Sequence, residues 1–326
     1  MGLYSREILM GMAAAHPEMR FDFCYRPHRY LRSRSVQVPP NARRRLLAEP
    51  LGPRSAVLFH GLNQRLPHVP MRRAIATFHD LFVMTGEYST PEFRARFTAQ
   101  ARDAATRASA IIAVSAFTKG QVVSLLGVDP AKVRVVHHGI RKLPLAPCAS
   151  REKVILNVGA VQKRKNIARL VEAFETVDRS WKLVLAGARG YGCDEILRRI
   201  ERSPARDRIS MMGYVSPAAL AACYAGAMIF AFPSLDEGFG MPLLEAMAAG
   251  IPVVTSNRSA LPEVAGDAAI LVDPESTEAL GQALRDLAEK EELRQELSRR
   301  GETRARLFTW EKAVRETWDV YQDVMR

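Results

Sequence analysis

The 326-residue sequence lacks several features that would assign it to common classes of protein. It contains no run of about 18 apolar residues, so it predicts no transmembrane helix and limits any membrane contact to the periphery. Its four cysteines have neither the paired spacing of a metal site nor that of a disulfide framework, which favours a reducing cytoplasm. No G-x-G-x-x-G fingerprint follows a first strand, and this argues against a dehydrogenase.

What the sequence does contain is a regular alternation of strand-like apolar runs with helix-like segments. This alternation predicts an α/β protein with two doubly wound, Rossmann-like parallel sheets. The length suits two domains of about 100–200 residues each, which is enough chain for two buried cores.

The segment that ends the strand-like run 227–232 and leads into a helix is the most informative part of the chain. Pro242 is expected at the first position of that helix. Glycines in the intervening turn let the backbone approach a ligand closely, and the free N–H groups of a helix start favour an anion. The pattern predicts a phosphate-binding loop formed by Gly238, Phe239, Gly240, Met241, Pro242 and Leu243.

Two carboxylates flank this loop. Glu245 is expected in the first turn of the helix, where it would accept hydrogen bonds from the vicinal hydroxyls of a ribose. Glu237, eight residues earlier, would lie on the side of a sugar attached to the diphosphate. For an isolated pair of acids, the alternatives are a favourable interaction with the helix dipole and a loop cap.

The segment 232–268 resembles the donor-site signature of the family 4 retaining glycosyltransferases, which have the GT-B fold. A second stretch, 156–166, resembles the strand, glycine turn at Gly159 and basic pair of the same family. The resemblance implies that Arg164 and Lys165 stabilise the charge that develops on a departing nucleotide diphosphate. Ala160 stands where many members of the family have Arg, so more of the charge stabilisation would fall on Arg164 and Lys165. The alternative to this role is a solvated basic turn, since Lys163 adds a third cation.

The sequence has no D-x-D pair of the kind that clamps a divalent cation. Together with the basic turn, this predicts leaving-group stabilisation without a metal, and no cofactor other than the nucleotide-sugar substrate. The resemblance further implies retention of configuration, with the acceptor attacking from the face of the leaving phosphate.

Further site residues follow from the same resemblance. His79 and Asp80 resemble a His-Asp pair at the end of a strand, which implies that His79 approaches the donor sugar. Tyr214 and Val215 would lie near the base, contacted mainly through the main chain. The segment at Gly2 and Tyr4 resembles the end of a glycine loop on the acceptor side. The resemblance implies that about 15 residues of a first strand precede this segment in the family, so we expect a start upstream of Met1 or a truncated copy.

The resemblance also divides the chain. Residues 1–143 would form an acceptor-binding domain, 144–151 a linker, 152–308 the nucleotide-sugar domain, and 309–326 a helix that crosses back to the first domain.

Charge is distributed very unevenly. Residues 1–150 carry 22 Lys and Arg against 9 Asp and Glu, a net charge of +13, whereas residues 151–326 carry 25 against 26. The span between Asp22 and Glu49 contains no acid and predicts a mobile basic loop. Such a loop would attract anionic lipids, by about 1 kcal/mol per cation near the surface. The alternative is a solvated loop that binds no partner. The arginines of this span are Arg26, Arg29, Arg32, Arg34, Arg43, Arg44 and Arg45.

Nucleic acid is not an expected partner, because no aromatic platform, zinc spacing or helix-turn-helix pattern accompanies this charge. The motifs look most similar to those of bacterial O-antigen and exopolysaccharide mannosyltransferases. The expected activity is therefore transfer of mannose from GDP-mannose to a glycan or lipid-linked acceptor, and UDP- or dTDP-linked sugars are the alternative donors. The expected location is the cytoplasm, with peripheral contact at the inner face of the cytoplasmic membrane. Two alternatives are a degenerate chain that binds nucleotide sugar without efficient transfer, and a nucleotide-sugar epimerase.

Overall fold

The computed structural model describes residues 2–49, 56–69, 71–141, 143–144 and 151–326. The chain divides into two compact units. The first comprises Met1–Met84, Pro91–Gly139 and Phe308–Arg326, and the second comprises Thr85–Thr90 and Ile140–Leu307. The predicted linker falls outside the described residues except at its two ends. In the part of the chain with assigned positions, no helix has both the length and the apolar character needed to cross a bilayer.

Within the residues that the structure describes, the first unit contains six strands in two parallel sheets, β1-β2 and β3-β4-β5-β6. The strands are β1 (Phe21–Tyr25), β2 (Ala42–Leu46), β3 (Phe59–Gly61), β4 (Ala74–Phe78), β5 (Ala110–Ala113) and β6 (Val133–Val135). The helices are α1 (Leu3–Ala15), α2 (Pro27–Tyr30), α3 (Phe82–Thr85), α4 (Pro91–Arg107), α5 (Ala116–Leu126) and the last helix of the chain, α13 (Trp310–Met325).

Strand β4 is buried along its whole length, which explains its continuous apolar sequence. One side chain of this strand, Ile75, packs in a cluster with Ile8 of α1 and Val314 of α13. Phe78 of β4 belongs to a second cluster that includes Phe97 of α4. Helices α1 and α13 approach so closely at Gly11 that a Cβ there would overlap Val314.

The predicted mobile basic loop is wrong. The span contains α2, a 3₁₀ helix at Leu31–Ser35, and strand β2, which pairs in parallel with β1. Asp22 of β1 binds both Arg43 and Arg45, at 2.5 and 2.9 Å, while Arg44 donates to the carbonyls of Ser33 and Val36. A neighbouring carboxylate and backbone acceptors therefore satisfy the three arginines of strand β2.

The described part of the second unit has one six-stranded parallel sheet in the order β12-β11-β10-β7-β8-β9. Its strands are β7 (Glu152–Val158), β8 (Lys182–Ala186), β9 (Ile209–Gly213), β10 (Ala227–Phe232), β11 (Val253–Ser256) and β12 (Ile270–Val272). Its helices are α6 (Ile167–Phe174), α7 (Cys193–Glu201), α8 (Pro217–Gly226), α9 (Met241–Ala248), α10 (Leu261–Ala265), α11 (Thr277–Glu289) and α12 (Glu291–Ala305).

The strand order of this sheet reverses between β7 and β10. Connections leave the carboxyl ends of these neighbouring strands in opposite directions, and in open parallel sheets such a switch point forms a crevice where ligands bind. The buried Asn157 on β7 donates to the Ala231 carbonyl on β10 at 2.8 Å and ties the two strands together. The switch point therefore brings together the two loops that the sequence singled out.

Candidate functional site

The loop after β7 turns at Gly159, which has a φ of 142°. The neighbouring Gly187, just after β8, touches it so closely that a Cβ on Gly187 would overlap the Gly159 carbonyl. A 3₁₀ turn at Lys163–Lys165 follows, and Asn166, with φ of 58°, is the N-cap of helix α6. Its side chain donates to the Pro274 carbonyl at 2.7 Å and holds the turn. Glycine and asparagine are the residues that tolerate these backbone angles.

The three adjacent cations of this turn are placed differently. Arg164 and Lys165 are buried, with 8 % and 7 % of their surfaces exposed, whereas Lys163 is exposed. Lys165 Nζ also lies 4.4 Å from the ring centre of Phe232 at the end of β10. Two cations thus enter the crevice and the third faces solvent.

Glu237, in the loop after β10, lies between the two buried cations. Its Oε1 is 2.5 Å from Lys165 Nζ and its Oε2 is 3.0 Å from Arg164. Burial alone would raise the pKa of this carboxyl, but Lys165 and Arg164 outweigh burial and hold the pKa below its usual value. Glu237 therefore bridges the two buried cations, and this positively charged pair lies at the crevice of the switch point.

Sequence reasoning did not identify Asp236, which lies beside this cluster. The Arg164 guanidinium donates to the Asp236 backbone carbonyl, and the Asp236 carboxylate accepts a hydrogen bond from Thr85 at 2.9 Å. Backbone of the same loop is held by Ser259, whose hydroxyl accepts from the Glu237 N–H at 3.1 Å. Asp236 precedes Glu237 in the motif, but nothing in the local pattern pointed to the hydroxyl of the distant Thr85.

The phosphate loop enters helix α9 at Gly240, which has a φ of 103° and is the N-cap. Helix α9 begins at Met241, so Pro242 occupies its second position and not the first. For the same reason the expectation that Glu245 lies in the first turn is wrong: it lies in the second turn, four residues beyond Met241. Gly238 and Phe239 are buried in the loop, and Leu243 is buried in the helix.

Glu245 is almost completely buried, with 3 % of its surface exposed. The Tyr224 hydroxyl of α8 donates to Glu245 Oε2 at 2.9 Å, and Arg141 Nε lies 3.2 Å from Oε1. Burial raises the pKa of Glu245, while the Arg141 charge and the Tyr224 hydrogen bond act in the opposite direction. Neither Tyr224 nor Arg141 was a predicted site residue.

Tyr214 and Val215 follow strand β9 at the edge of the sheet. Tyr214 is 84 % exposed and lies directly after Gly213, which has a φ of 65°. These two residues lie at the same end of the strands as the loops described above, but β8 and β7 separate their strand from β10.

In the first unit, His79 lies directly after β4. Its Nδ1 is 3.2 Å from His138 Nε2, and its Nε2 is 3.0 Å from the Leu62 carbonyl. Burial lowers the pKa of both imidazoles, and that of His138 falls well below its usual value. Both ring nitrogens of His79 therefore have partners inside the first unit.

Tyr4 lies within helix α1, contrary to the expectation of a loop, and Gly2 is the N-cap of that helix. The buried Tyr4 hydroxyl is 2.9 Å from Thr77 Oγ1, and its ring meets those of His79 and His138 edge-on. Thr77 Oγ1 is also 2.8 Å from His60. Tyr4 is thus part of a buried polar network beneath His79.

Comparison with known families agrees with this geometry. Residues 147–304 match the model described as glycosyl transferases group 1, and residues 16–142 match the model of glycosyltransferase family 4. O-antigen chain mannosyltransferase B of Escherichia coli is 30 % identical over 282 residues, covering 81 % of this chain and 74 % of the relative. O-antigen chain mannosyltransferase RfbU of Salmonella typhimurium is 26 % identical over 181 residues, which cover 56 % of this chain and 51 % of the relative.

Solved structures show the same fold. Sucrose-phosphate synthase of Thermosynechococcus elongatus has a TM-score of 0.77 at 21 % identity, covering 98 % of this chain and 92 % of that one. WaaG, a glycosyltransferase involved in lipopolysaccharide biosynthesis, has a TM-score of 0.69 at 16 % identity, covering 92 % and 99 %. The chain belongs to the family 4 glycosyltransferases and has their GT-B fold.

Proposed function

We propose that this protein is a retaining, metal-independent mannosyltransferase that transfers mannose from GDP-mannose to a glycan or lipid-linked acceptor in cell-surface glycan synthesis. The observation that carries the proposal is the buried cluster of Arg164, Lys165 and Glu237 at the switch point of the second unit. The choice of mannose is supported by the E. coli relative, whose name is that of an O-antigen mannosyltransferase.

In the proposed complex, the donor diphosphate lies against Arg164, Lys165 and the start of α9, while Glu237 contacts the sugar and Glu245 the ribose. A Cβ at Gly159 would lie 3.3 Å from the Lys165 side chain and would crowd it. Glycine at this position therefore leaves space beside Lys165 for the proposed diphosphate. Tyr214 and Val215 would contact the base, and His79 the donor sugar. To donate to a ligand through Nε2, His79 would have to exchange its bond to the Leu62 carbonyl.

The proposed reaction forms a bond between an acceptor hydroxyl oxygen and the anomeric carbon, and breaks the bond from that carbon to the diphosphate. The electron pair of the broken bond goes to the phosphate oxygen, and that oxygen takes the proton of the acceptor hydroxyl. Arg164 and Lys165 stabilise the new negative charge without reorganising, because they are already held in a buried site. We propose that these two cations replace a divalent metal.

The test is a transfer assay with GDP-mannose labelled in the sugar and a synthetic polyprenyl-diphosphate oligosaccharide as acceptor. We expect labelled product with the anomeric configuration of the donor, at a rate that EDTA does not change. UDP-glucose, UDP-GlcNAc and dTDP-glucose serve as donor controls. Release of mannose or GDP without transfer would support the degenerate or epimerase alternatives, and loss of activity in EDTA would overturn metal independence.

We further propose that the first unit contacts an anionic membrane surface at the cytoplasmic side. Leu31 is 68 % exposed, and the flanking Arg29, Arg32 and Arg34 give it a basic surround. Binding to phosphatidylglycerol vesicles, but not to phosphatidylcholine vesicles, is expected and should weaken in an R32S/R34S variant. The matched control is R299S/R300S on α12, which removes two exposed cations from the second unit.

A further inference from the structure

The two carboxylate oxygens of Glu245 are in different environments. Oε2 accepts the hydroxyl proton of Tyr224 at 2.9 Å. Oε1 is buried and accepts no well-formed hydrogen bond from any residue that the structure describes. The nearest cation is Arg141, whose Nε is 3.2 Å from Oε1, within ion-pair distance. One oxygen is thus held and the other retains an open acceptor position.

Tyr224 is well suited to hold that carboxylate. Its side chain is fully buried in α8, with its ring 5.9 Å from that of Phe230 on β10. Burial and the neighbouring Glu245 charge raise the pKa of Tyr224 well above its usual value, so the phenol stays protonated and remains a donor. The Pro242 carbonyl at 3.3 Å is the other acceptor within reach, but bonds to an ionised acceptor are stronger.

Arg141 supplies a positive charge near the Glu245 carboxylate, but it does not hold that carboxylate in position. Its side chain is 39 % exposed, whereas that of Glu245 is 3 % exposed. A long, partly solvated side chain can move at little cost, while a buried tyrosine cannot. The Arg141 charge therefore favours the ionised form of Glu245 against the effect of burial, and the rigid element of the site is Tyr224.

We propose that Tyr224 is a positioning residue for nucleotide binding: its hydroxyl occupies Oε2 of Glu245 and so reserves Oε1 for the vicinal hydroxyls of the donor ribose. This inference rests on the proposed function, because it takes the ligand of Glu245 to be a nucleoside diphosphate. It adds a residue from a different helix, which does not itself touch the ligand.

The experiment measures dissociation constants of GDP, UDP and their 2′-deoxy counterparts by calorimetry for the wild type, Y224F and E245A. The wild type should bind the ribonucleotide about tenfold more tightly than the deoxynucleotide, the magnitude typical of hydrogen bonds to a charged group. Y224F should bring this ratio close to that of E245A while changing the affinity for the deoxynucleotide little. Y25F is the matched control, since it removes a hydroxyl from β1 that has no hydrogen-bond partner among the described residues.

The pH dependence of binding distinguishes positioning from simple packing. Loss of the Tyr224 hydroxyl removes an interaction that favours the ionised carboxylate of Glu245. The acidic limb of ribonucleotide binding, the pH range in which affinity falls as Glu245 is protonated, should therefore move to higher pH in Y224F. Replacement of Tyr224 by 3-fluorotyrosine, which keeps the hydroxyl and makes it a stronger donor, should move the limb to lower pH. This second variant also tests the proposal if Y224F does not fold.

A Y224F protein that keeps both the wild-type ratio and the wild-type acidic limb would overturn the inference and leave the proposed function intact. A wild type that binds neither GDP nor UDP would overturn both. A wild type that binds ribo- and deoxynucleotides equally would overturn the role of Glu245 together with that of Tyr224.

Discussion

Nε2 of His138 lies 3.2 Å from Nδ1 of His79, and the partners of His79 determine which of the two rings donates. The Leu62 carbonyl can only accept, so His79 carries its proton on Nε2 and Nδ1 has a lone pair. His138 therefore donates from Nε2. The lowered pKa of both rings keeps them neutral at pH 7, which this arrangement requires.

Three histidines, of which His138 is buried and His60 and His79 are partly buried, make the stability of the first unit sensitive to acid. Burial lowers the pKa of His79 and His138, and that of His60 to about 3. Below about pH 6.5 the unfolded chain binds protons that the folded state does not, so stability is lost as pH falls from there towards the folded pKa values. Each histidine contributes up to about 1.4 kcal/mol per pH unit.

Urea denaturation of the whole protein between pH 7.5 and 5.5 checks this prediction. The free energy of unfolding should fall with decreasing pH, and H138N should show a shallower slope, because it removes one of the three groups. H137Q is the control, since His137 is the adjacent, partly exposed histidine. An unchanged slope in H138N would contradict the assignment.

Replacement of Lys165 should impair transfer far more than replacement of Lys163. Lys165 is buried in the ion cluster, whereas its neighbour two positions earlier is exposed. Removing one preorganised charge from a reacting centre typically lowers kcat by about 10²–10³-fold. We therefore expect such a loss in K165M and little change in K163M, measured as initial rates at saturating donor. Equal rates in the two variants would show that the buried cation takes no part.

Glu237 also stabilises the fold when no ligand is bound. E237Q leaves two buried cations without their counter-charge, and the expected loss is about 3–5 kcal/mol in the free energy of unfolding. Pyrophosphate should restore more of the melting temperature in E237Q than it adds to the wild type, because it supplies the missing anion. E175Q is the control: its carboxylate pairs with Arg199 nearer the surface, where such pairs contribute only about 0–1 kcal/mol. An E237Q protein that is as stable as the wild type, and whose melting temperature pyrophosphate does not raise, would contradict the pairing of Glu237 with the two buried cations.

The close approach of Gly187 to Gly159 should make G187A destabilising. The added methyl would overlap a backbone carbonyl, and overpacking of this kind costs about 1–3 kcal/mol. G226A is the matched control, because a Cβ at that position meets no atom within 4 Å. Denaturation midpoints of the two variants compare them directly, and a neutral G187A would mean that the turn after β7 adjusts freely.

Much of the second unit follows from local sequence patterns. The apolar run 227–232 predicted the strand observed as β10, because a parallel strand covered on both faces needs apolar side chains throughout. The glycines and proline after it predicted the loop and helix α9, although the helix begins one residue earlier than expected. The basic span before Glu49 was mispredicted as a loop, because strand β2 depends on its pairing with β1 and on Asp22.

The sequence by itself determined that the chain has two parallel-sheet units and that one loop carries acids opposite a basic turn, since strand periodicity and turn residues are local signals. Only the tertiary structure decided which atoms meet. Of three adjacent cations it buried Arg164 and Lys165, and it brought Tyr224, which reads as one more apolar position of α8, to a carboxylate 21 residues away. Such contacts depend on how helices and loops pack around the sheet, and no short stretch of sequence encodes that packing.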